Sequence, residues 1–518
     1  FSGIAEKAGY LKELGITAVE LLPVHEFDEE DCRYINPNSE ERLKDYWGYS
    51  SINFFAVKSA YSSYPAATSP KTEFKKMVKT LHREGIEVIL DVVFNHTAEG
   101  GWDRKIINFK GLGNKDYYLL DDKGDYLNLS GCGNTVNCNH PVTANMIVDS
   151  LRFFVTEYHV DGFRFDLASI LSRGENGDLL NEPLVLNLIT KDPVLSQTKL
   201  IAEPWDAVGL YQVGGFCPNS RWAEWNDRFR DSVRRFGRGE PGWTGELATR
   251  LAGSEDLFGP QGKKAENSIN FITAHDGFTM MDLVSYETKH NNQNGQGNQD
   301  GASENFSLNF GVEGKSSNEI VLENRLKQIR NYATILLLSQ GTPMVLSGDE
   351  FGNSQQGNNN AWCQDNSTTW LDWDQLNQNR DLFLFWQQLI AFRKRHNSFM
   401  RRTFFTGEAS SETGLADISW HNHRLAKPGF DSPSRSLALL IDGTQVQDDI
   451  IYIVLNFEEM EGSFELPYGK AFGNWREILD TADPVRFIEK TELDIGKKES
   501  IQLAPFSIKV LLNHYQSN

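Results

Sequence analysis

The sequence predicts an α/β fold, a (β/α)8 TIM barrel followed by a C-terminal antiparallel β-sandwich. From residue 4 to about residue 396, short β-branched runs alternate with amphipathic stretches, as strands and crossover helices do in a parallel sheet. After about residue 397 the pattern changes to short alternating runs separated by turn residues, which is typical of antiparallel strands. We therefore assign residues 1–399 to the barrel and 400–518 to the sandwich.

Seven β-branched runs are the predicted barrel strands. In chain order they are 18–24, 88–95, 161–168, 200–205, 222–229, 269–274 and 343–348. Between them lie helical patterns such as 71–84 and 323–339, where apolar residues recur at three- and four-residue spacing. A helical pattern at 4–14 precedes the first run, and in a (β/α) repeat a strand should come before it. We therefore expect the first barrel strand to lie upstream of Phe1.

Two long connections interrupt this repeat. Residues 97–160 are rich in Gly, Asn and aromatic side chains with little periodicity, so we predict an inserted loop region there. Residues 285–320 are polar and include the Asn- and Gly-rich stretch 291–298, whose composition alone predicts a flexible segment. In the C-terminal part, the runs 436–441, 451–456 and 501–512 are the predicted strands.

Composition narrows the class of partner. The 518 residues include 51 Lys and Arg against 71 Asp and Glu, a formal net charge of −20. This charge argues against nucleic acid or anionic lipid as a partner, because phosphate binding needs clustered basic residues. We also find no apolar run of the length that a membrane span needs. A neutral ligand fits better, and the sequence does not indicate an oligomeric state.

The cysteines indicate a reducing compartment. There are five of them, and their spacing resembles neither a disulfide framework nor a paired metal-binding motif. The segment that begins at Phe1 has neither the basic start nor the apolar core of a signal peptide, and it lacks an initiator Met. We expect further sequence upstream, and we expect the protein in a bacterial cytoplasm or a plastid stroma.

Polar residues gather at the carboxyl ends of four predicted strands. In a TIM barrel this face carries the active site, because the loops after the strands converge there. A single carboxylate at a strand end is usually ordinary, and Asp166 could simply pair with Arg164. Three acids at the same end of one barrel, however, meet the requirement for cleaving a glycosidic bond. That reaction needs one ionised and one protonated carboxyl group. The residues concerned are Asp91, His96, Arg164, Asp166, Glu203, His275 and Asp276.

These segments resemble a known family. The stretches 91–96 (Asp-Val-Val-Phe-Asn-His), 162–166, 202–206 and 274–276 resemble, in order, the four signature regions of the α-amylase superfamily. Residues 130–135, 348–352 and 357–366 resemble the isoamylase-type debranching enzymes of starch and glycogen metabolism. The resemblance covers essentially the whole chain. It implies a retaining glycoside hydrolase that cleaves α-1,6 branch linkages in glycogen or amylopectin-like glucan and releases linear α-1,4 chains.

The resemblance also implies roles for individual residues. Asp166 would be the nucleophile, Glu203 the general acid and base, and Asp276 the residue that stabilises the transition state. Arg164 would keep Asp166 ionised and oriented. The remaining substrate-binding candidates are Tyr49, which would stack on the distorted sugar ring, Asp91, and the two histidines His96 and His275, which would hydrogen-bond sugar hydroxyls.

Other aromatic residues are weaker candidates for sugar contacts. Trp47 is as easily a packing residue as a sugar contact. Trp205, Trp362 and Trp370 could contact more distant sugars, because an aromatic ring can cover the apolar face of a pyranose.

No cofactor is required by the predicted chemistry, although calcium is possible. Asn95 matches a calcium ligand in many α-amylases, but it could equally orient the catalytic loop by hydrogen bonds. Cys132, Cys138 and His140 are close in sequence and could suggest zinc. Without a second pair of ligands, packing cysteines are the preferred interpretation.

Two other functions remain open. An α-1,4-acting amylase or transglycosylase would share the same carboxylates, because linkage choice depends on loop shape. A non-catalytic glucan-binding subunit would be expected to lack catalytic residues, whereas Asp166, Glu203 and Asp276 are all present. Isoamylases carry an N-terminal β-sandwich before the barrel, so we expect this chain to be a segment of a longer protein.

Overall fold

The barrel part of the protein is built on nine strands. In this computed structural model, residues 1–63, 69–430 and 433–514 are described. The strands are β1 (Ala18–Leu21), β2 (His25–Phe27), β3 (Ser51–Val57), β4 (Glu87–Val92), β5 (Gly162–Phe165), β6 (Lys199–Ala202), β7 (Ala223–Asn226), β8 (Ser268–Asn270) and β9 (Thr342–Pro343). Seven of them form one parallel sheet in the order β1-β4-β5-β6-β7-β8-β9, and β2 pairs with β3 in an antiparallel hairpin. This sheet confirms the predicted barrel class, with each predicted run containing or overlapping one strand.

Side chains alternate between the two faces of the parallel sheet. On β4, Val88, Leu90 and Val92 pack outward among the helices, whereas Ile89 packs in a smaller inner cluster with Ile201 of β6. Both faces of the central strands are therefore buried, as is usual for parallel sheets covered by helices. The same alternation makes Asp91 and Arg164 inner-face residues, and they are paired directly in the β4–β5 register.

Helices cover the outer face of the sheet. They are α1 (Ser2–Glu6), α2 (Ala8–Leu14), α3 (Pro70–Arg83), α4 (Phe109–Tyr117), α5 (Pro141–Tyr158), α6 (Leu184–Lys191), α7 (Asp227–Gly237), α8 (Thr244–Leu251), α9 (Glu255–Phe258), α10 (Met280–Leu283), α11 (Glu319–Leu338), α12 (Asp374–Gln378) and α13 (Arg380–Arg395). On α3 the buried residues Phe74, Met77, Val78 and Leu81 form one stripe, which explains the sequence periodicity. None of the helices in the described parts of the chain has the length and apolar character needed to span a bilayer.

The region 97–160, interpreted above as an inserted loop region, contains both α4 and α5. Helix α5 is 18 residues long, lies between β4 and β5 in the chain, and buries residues such as Ile147 and Leu151 in the outer cluster. It is therefore the crossover helix between those strands. The irregular part of the connection lies before Pro141, where Glu99 accepts hydrogen bonds from the backbone N–H groups of Ile107 (2.7 Å) and Asn108 (3.1 Å).

The C-terminal part consists of antiparallel strands. They are β10 (Ile418–His421), β11 (Ser436–Asp442), β12 (Ile450–Asn456), β13 (Gly462–Glu465), β14 (Trp475–Asp480), β15 (Leu493–Gly496), β16 (Ser500–Leu503) and β17 (Ser507–Asn513), with a short helix α14 (Val485–Ile488). Six strands form a sheet in the order β10-β11-β12-β17-β14-β15, and β13 pairs with β16. The last four residues of the predicted range 400–518 lie outside the described residues.

One predicted strand is wrong in its extent. The run 501–512 is divided into β16 and β17, separated by Ala504, Pro505 and Phe506. Proline has no N–H to donate to a ladder, and Phe506 has a φ of 48°, outside the β region. The apolar pattern continues across the break because both strands are buried, so periodicity alone did not reveal the turn.

The six-stranded sheet is buried on both faces. On β11, Leu437, Leu439 and Ile441 belong to the same core as the barrel helices α11 and α13, whereas Ala438 and Leu440 face the β13–β16 pair. Hydrogen bonds reinforce this contact, for example from Lys327 Nζ of α11 to the carbonyl oxygen of Pro505 (3.1 Å). The barrel and the C-terminal sheet therefore share one continuous apolar core.

Candidate active site

Three catalytic candidates follow the carboxyl ends of the parallel strands. Asp166 comes directly after β5, and Glu203 comes directly after β6. Asp276 follows β8 by six residues. Because Phe165 and Ala202 are paired in the β5–β6 register, Asp166 and Glu203 leave neighbouring strands at the same level. The structure thus brings these predicted residues to one end of the sheet.

Arg164 is the hub of the site. Its guanidinium group is 1% exposed and contacts three carboxylates. Nη1 donates to Asp91 (2.9 Å) and Asp166 (3.1 Å), and Nη2 lies 3.0 Å from Oε2 of Glu203. The carbon of the guanidinium lies 4.2 Å from the ring centre of Trp225, an arrangement that favours a cation. One buried cation therefore orients a carboxylate on β4 and the two carboxylates that directly follow β5 and β6.

The carboxylate of Asp166 is held in one orientation by hydrogen bonds to both oxygens. Oδ1 accepts a hydrogen bond from Arg164, and Oδ2 accepts one from Asn95 Nδ2 at 2.7 Å. Asn95 Nδ2 also donates to the backbone oxygen of Asp166 at 2.9 Å. Both carboxylate oxygens therefore have donors, which fixes the position of the side chain.

Glu203 is in a different environment and keeps its proton. Its side chain is buried, and this burial, aided by the negative charge of Asp166, raises the pKa of Glu203 to about 8. Oε2 accepts a hydrogen bond from the backbone N–H of Leu167 (2.7 Å) and forms an ion pair with Nη2 of Arg164 at 3.0 Å, which leaves Oε1 for the proton. Leu167 has a φ of 42°, a left-handed conformation that aims its N–H at Glu203.

Asp276 completes the set of three acids and is the most exposed of them. It lies on the loop between β8 and α10. The next residue, Gly277, has a φ of 118°, a conformation that disfavours any side chain, and its N–H donates to the backbone oxygen of Asn359 at 3.0 Å. The position of Asp276 therefore depends on the loop that carries Asn359.

His96 is bound on both sides by protein groups. Nδ1 lies 2.6 Å from Oδ1 of Asn95, and Nε2 lies 2.6 Å from the backbone oxygen of Tyr49. In this arrangement His96 orients Asn95, which in turn holds Asp166. A hydrogen bond from His96 to a sugar hydroxyl stays a prediction.

The hydrogen bonds of the Asn95 side chain also decide whether this residue could bind calcium. The side-chain oxygen of Asn95 faces the ring nitrogen of His96, and its amide nitrogen donates to Asp166. A calcium ion would need the oxygen. The residues around Asn95 therefore do not fit a calcium site, and no step of the chemistry below is assigned to a metal.

Tyr49, Asp91 and His275 form a hydrogen-bonded chain. The Tyr49 hydroxyl donates to Oδ2 of Asp91 at 2.5 Å and lies 2.9 Å from Nε2 of His275. Burial, with the nearby Arg164, holds the pKa of His275 well below its usual range. Since the single Tyr49 proton goes to Asp91, the neutral His275 must donate from Nε2. The rings of Tyr49 and His275 are stacked, with centroids 5.2 Å apart.

The four tryptophan candidates lie in different surroundings. Trp47 is buried and meets the His275 ring edge to face, with centroids 4.9 Å apart. Trp205 lies nearly parallel to Tyr211. The backbone oxygen of Trp362 accepts a hydrogen bond from the N–H of Tyr46, three residues before Tyr49, whereas Trp370 is exposed. Trp47 therefore contacts a residue of the site through its ring, and Trp205 contacts another through its backbone N–H, which donates to the backbone oxygen of Glu203 at 3.0 Å.

Cys132, Cys138 and His140 do not share one environment. Cys138 is buried, and its thiol donates to the backbone oxygen of Phe94 at 3.4 Å. Cys132 is exposed, and His140 lies 3.7 Å from the carboxylate of Asp116.

Two residues of the site were missed by the sequence reasoning. Glu20 lies on the inner face of β1, where burial and the charge of Asp91 raise the pKa of Glu20 to about 8. Trp225 lies on the inner face of β7 beneath Arg164. A charged residue inside an apolar strand pattern was the available signal for Glu20. Trp225 had no signal of its own, because a tryptophan in a strand usually indicates only packing.

The Asn-rich stretch 291–298 is part of an ordered network behind Asp276. Asn291 and Asn359 are fully buried and hydrogen-bonded to each other twice: Asn291 Nδ2 donates to Asn359 Oδ1 (2.8 Å), and the Asn359 N–H donates to Asn291 Oδ1 (3.0 Å). Asn359 Nδ2 donates to the backbone oxygen of Ala302 at 2.8 Å. The prediction of a flexible segment is therefore wrong, because each amide is satisfied by another residue of the two loops.

Comparison with known proteins identifies relatives along most of the chain. The family "Alpha amylase, catalytic domain" matches residues 1–128. Isoamylase 3, chloroplastic, of Oryza sativa is 46% identical over 489 residues, which cover 93% of this chain and 60% of the rice protein. The glycogen operon protein GlgX homolog of Mycobacterium tuberculosis is 45% identical over 514 residues, which cover 95% of this chain and 70% of the mycobacterial protein. The chain thus spans about two thirds of the length of these relatives.

Similarity of fold extends to solved structures. Pullulanase from Bacillus acidopullulyticus superposes with a TM-score of 0.73 at 24% sequence identity, covering 97% of this chain and 55% of the pullulanase chain. At this identity the likeness concerns the fold, whereas the rice and mycobacterial proteins establish kinship by sequence. Together with the arrangement of Asp166, Glu203 and Asp276, these relationships place the chain in the isoamylase-type debranching enzyme family of the α-amylase superfamily.

Proposed function

We propose that the protein is a retaining glycoside hydrolase that cleaves α-1,6 branch linkages in glycogen or amylopectin-like glucan. The observation that carries this proposal is the single guanidinium of Arg164, which contacts both Asp166 and Glu203. Retaining enzymes hold their two carboxyl groups about 5–5.5 Å apart, closer than inverting enzymes do. The shared guanidinium holds the carboxylates of Asp166 and Glu203 close to each other, which supports the retaining arrangement.

In the first step, Glu203 protonates the glycosidic oxygen that leaves with the main chain. Asp166 attacks the anomeric carbon at the same time, so that the C–O bond to the leaving group breaks and a covalent glycosyl-enzyme forms. Charge develops on the sugar ring in the transition state, and Asp276 at the mouth of the site supplies the opposite charge.

In the second step, the ionised Glu203 removes a proton from a water molecule, which attacks the same carbon and releases Asp166. Two inversions give net retention, and Glu203 ends with its proton restored. The pKa of about 8 suits both roles, because the group holds its proton at neutral pH and can still lose it.

The α-1,6 specificity is supported by the names of the relatives, the rice isoamylase and a glycogen debranching enzyme of Enterobacter that is 45% identical over 415 residues. An α-1,4-acting amylase or transglycosylase would use the same three acids. The test is proton NMR of glycogen during incubation with the protein. Selective loss of the α-1,6 anomeric signal, with new reducing ends in the α configuration, is the expected result. Loss of the α-1,4 signal instead would indicate an amylase-type activity.

Substitution of the nucleophile separates an enzyme from a glucan-binding subunit. Asp166→Ala removes the attacking oxygen, so we expect hydrolysis to be nearly abolished, by more than about a thousandfold. Glucan binding and the thermal transition should remain close to those of the unmodified protein. Near-normal turnover by the variant would contradict this role for Asp166, and no turnover by the unmodified protein would favour the binding subunit.

We also infer that the protein acts in a reducing compartment, a bacterial cytoplasm or a plastid stroma. All five cysteines are free thiols in the structure, including the buried Cys32 and Cys363, which pack in one small cluster. Treatment with a thiol-disulfide buffer at controlled potential, followed by thiol counting, tests whether all five remain reduced under such conditions.

A further inference from the structure

A groove lies where the barrel meets the C-terminal sheet. It has a volume of about 770 Å³ and is lined by residues of α8, α9, the loop at 405–407 and β10. This volume is typical of small-molecule sites, which occupy about 300–1,000 Å³. None of the residues that line the groove belongs to the catalytic site. Helices α8 and α9 precede β8, whereas the catalytic residues follow the carboxyl ends of the strands.

One wall of the groove is aromatic. Trp420 of β10 is half-buried, and Phe430 is 37% exposed. Their rings meet edge to face, with centroids 6.2 Å apart. The facing wall is made of small residues of α8, including Gly245 and Ala248. A Cβ atom at Gly245 would lie 3.4 Å from Cβ of Phe430, so a longer side chain there would fill the groove.

The charged groups that line the groove are two carboxylates. Glu255 and Asp256 are exposed at its edge, and Asp256 Oδ2 accepts a hydrogen bond from Arg250 Nη2 at 2.5 Å. Among the described residues, no lysine or arginine lines the groove. An anionic ligand would therefore meet two carboxylates without a lining cation, whereas ionised carboxylates readily accept hydrogen bonds from hydroxyl groups.

We propose that this groove is a second, non-catalytic glucan-binding site that holds a linear α-1,4-linked chain. A pyranose offers an apolar C–H face, which suits Trp420 and Phe430, and hydroxyl groups at its edge, which suit Glu255 and Asp256. This proposal rests on the proposed function, which brings the protein onto a polymer of such chains. A second contact on the same polymer raises the effective concentration of branch points at the active site.

Binding is tested on the protein carrying Asp166→Ala, so that no ligand is hydrolysed. Maltoheptaose is titrated by calorimetry into this protein and into versions that also carry Trp420→Ala or Phe430→Ala. We expect the groove variants to lose a binding event, with affinity reduced at least about tenfold, the order expected for loss of an aromatic contact. Tyr468→Ala, at an exposed aromatic residue outside the groove, is the matched control and should bind as the parent does. Unchanged titrations for both groove variants would overturn the proposal.

If Trp420→Ala impairs folding, the same titration is made with Glu255→Ala. Glu255 is exposed, so its substitution should leave the fold intact. The groove proposal and the proposed function are separated by measuring hydrolysis with groove variants that retain Asp166. With an active enzyme, the groove variants should raise the apparent KM for glycogen about threefold to tenfold, as loss of a second contact does. Their kcat/KM for a short branched oligosaccharide should stay unchanged. If no glucan is cleaved but maltoheptaose still binds through Trp420, the proposed function fails and the groove site stands. An equal loss on both substrates would overturn the groove site.

Discussion

At the residue scale, the site depends on one buried cation shared by three carboxylates. Arg164 contacts Asp91, Asp166 and Glu203, and the last two carboxylates have different surroundings. Asp166 has hydrogen-bond donors on both oxygens, whereas Glu203 leaves Oε1 free in a buried environment. This difference in local donors supports the proposed roles of Asp166 as the nucleophile and Glu203 as the acid.

The raised pKa of Glu203 predicts the alkaline limb of the pH profile. The acid works in its protonated form, so kcat/KM should be high below about pH 8 and should fall as the pH rises through the pKa of about 8. Glu203→Gln should remove that limb. It should also lose much less activity on an α-glycosyl fluoride, whose leaving group needs no proton, than on a branched glucan. Persistence of the alkaline limb in the Gln variant would contradict the assignment.

Removing only the hydroxyl of Tyr49 should lower kcat even though the aromatic ring is kept. Tyr49→Phe keeps the aromatic face but leaves Asp91 and His275 without the hydrogen bonds at 2.5 and 2.9 Å. Hydrogen bonds to charged groups contribute about 1.5–3 kcal/mol, so kcat should fall roughly tenfold to a hundredfold with KM little changed. Tyr34→Phe, at an exposed tyrosine, is the control. Steady-state kinetics on a branched dextrin gives kcat and KM for both variants. An unchanged kcat for Tyr49→Phe would argue against a role for this hydrogen-bonded chain.

At the element scale, the catalytic loops are positioned by polar networks. The two loops that carry Asn291 and Asn359 bond to each other through buried amides, and the Asn359 backbone holds Gly277 beside Asp276. Buried amides that are fully satisfied stabilise one arrangement, and removing one leaves its partners unpaired.

Asn359→Ala is therefore expected to displace Asp276. The side chain is fully buried, and its loss removes one of the two hydrogen bonds that Asn291 Nδ2 donates and the side-chain donor to the backbone oxygen of Ala302. Each unpaired group costs about 1–3 kcal/mol, and we expect kcat/KM to fall at least about tenfold. Asn292→Ala, at an exposed position of the same segment, should be close to neutral. Faster hydrogen exchange around residues 275–280 in the Asn359 variant alone would show that the network acts on this loop. Equal effects of the two substitutions would contradict the idea.

At the scale of the whole molecule, the barrel and the C-terminal sheet are joined by apolar packing rather than by a linker. Strand β11 places Leu439 in the core shared with α11, and it places Leu440 in the core shared with β13 and β16. Both residues are buried, at 2% and 3% exposure, so the two substitutions are closely matched.

Leu439→Ala should weaken the contact between the two parts, and Leu440→Ala should weaken only the C-terminal sandwich. Each deletion of a buried leucine side chain costs about 2–5 kcal/mol. Hydrogen exchange of α11 measures the difference, since α11 shares its core with the sheet face that carries Leu439. We expect faster exchange in α11 for Leu439→Ala and little change there for Leu440→Ala. The same exchange of α11 in both variants would mean that the two parts are not coupled through this face.

The sequence by itself determined the strands of the barrel, the change of fold after about residue 397 and the three acids that follow the strand ends. These depend on local periodicity and on the rule that parallel strands end at one face, and both are visible in the chain. Tertiary structure alone decided which acid holds the proton, that the ring nitrogens of His96 bind protein groups, and that the Asn-rich stretch is ordered. Those properties depend on burial and on partners such as Leu167 N–H, Tyr49 O and Asn359. Such partners are brought close only by folding, and no spacing in the sequence encodes the distances.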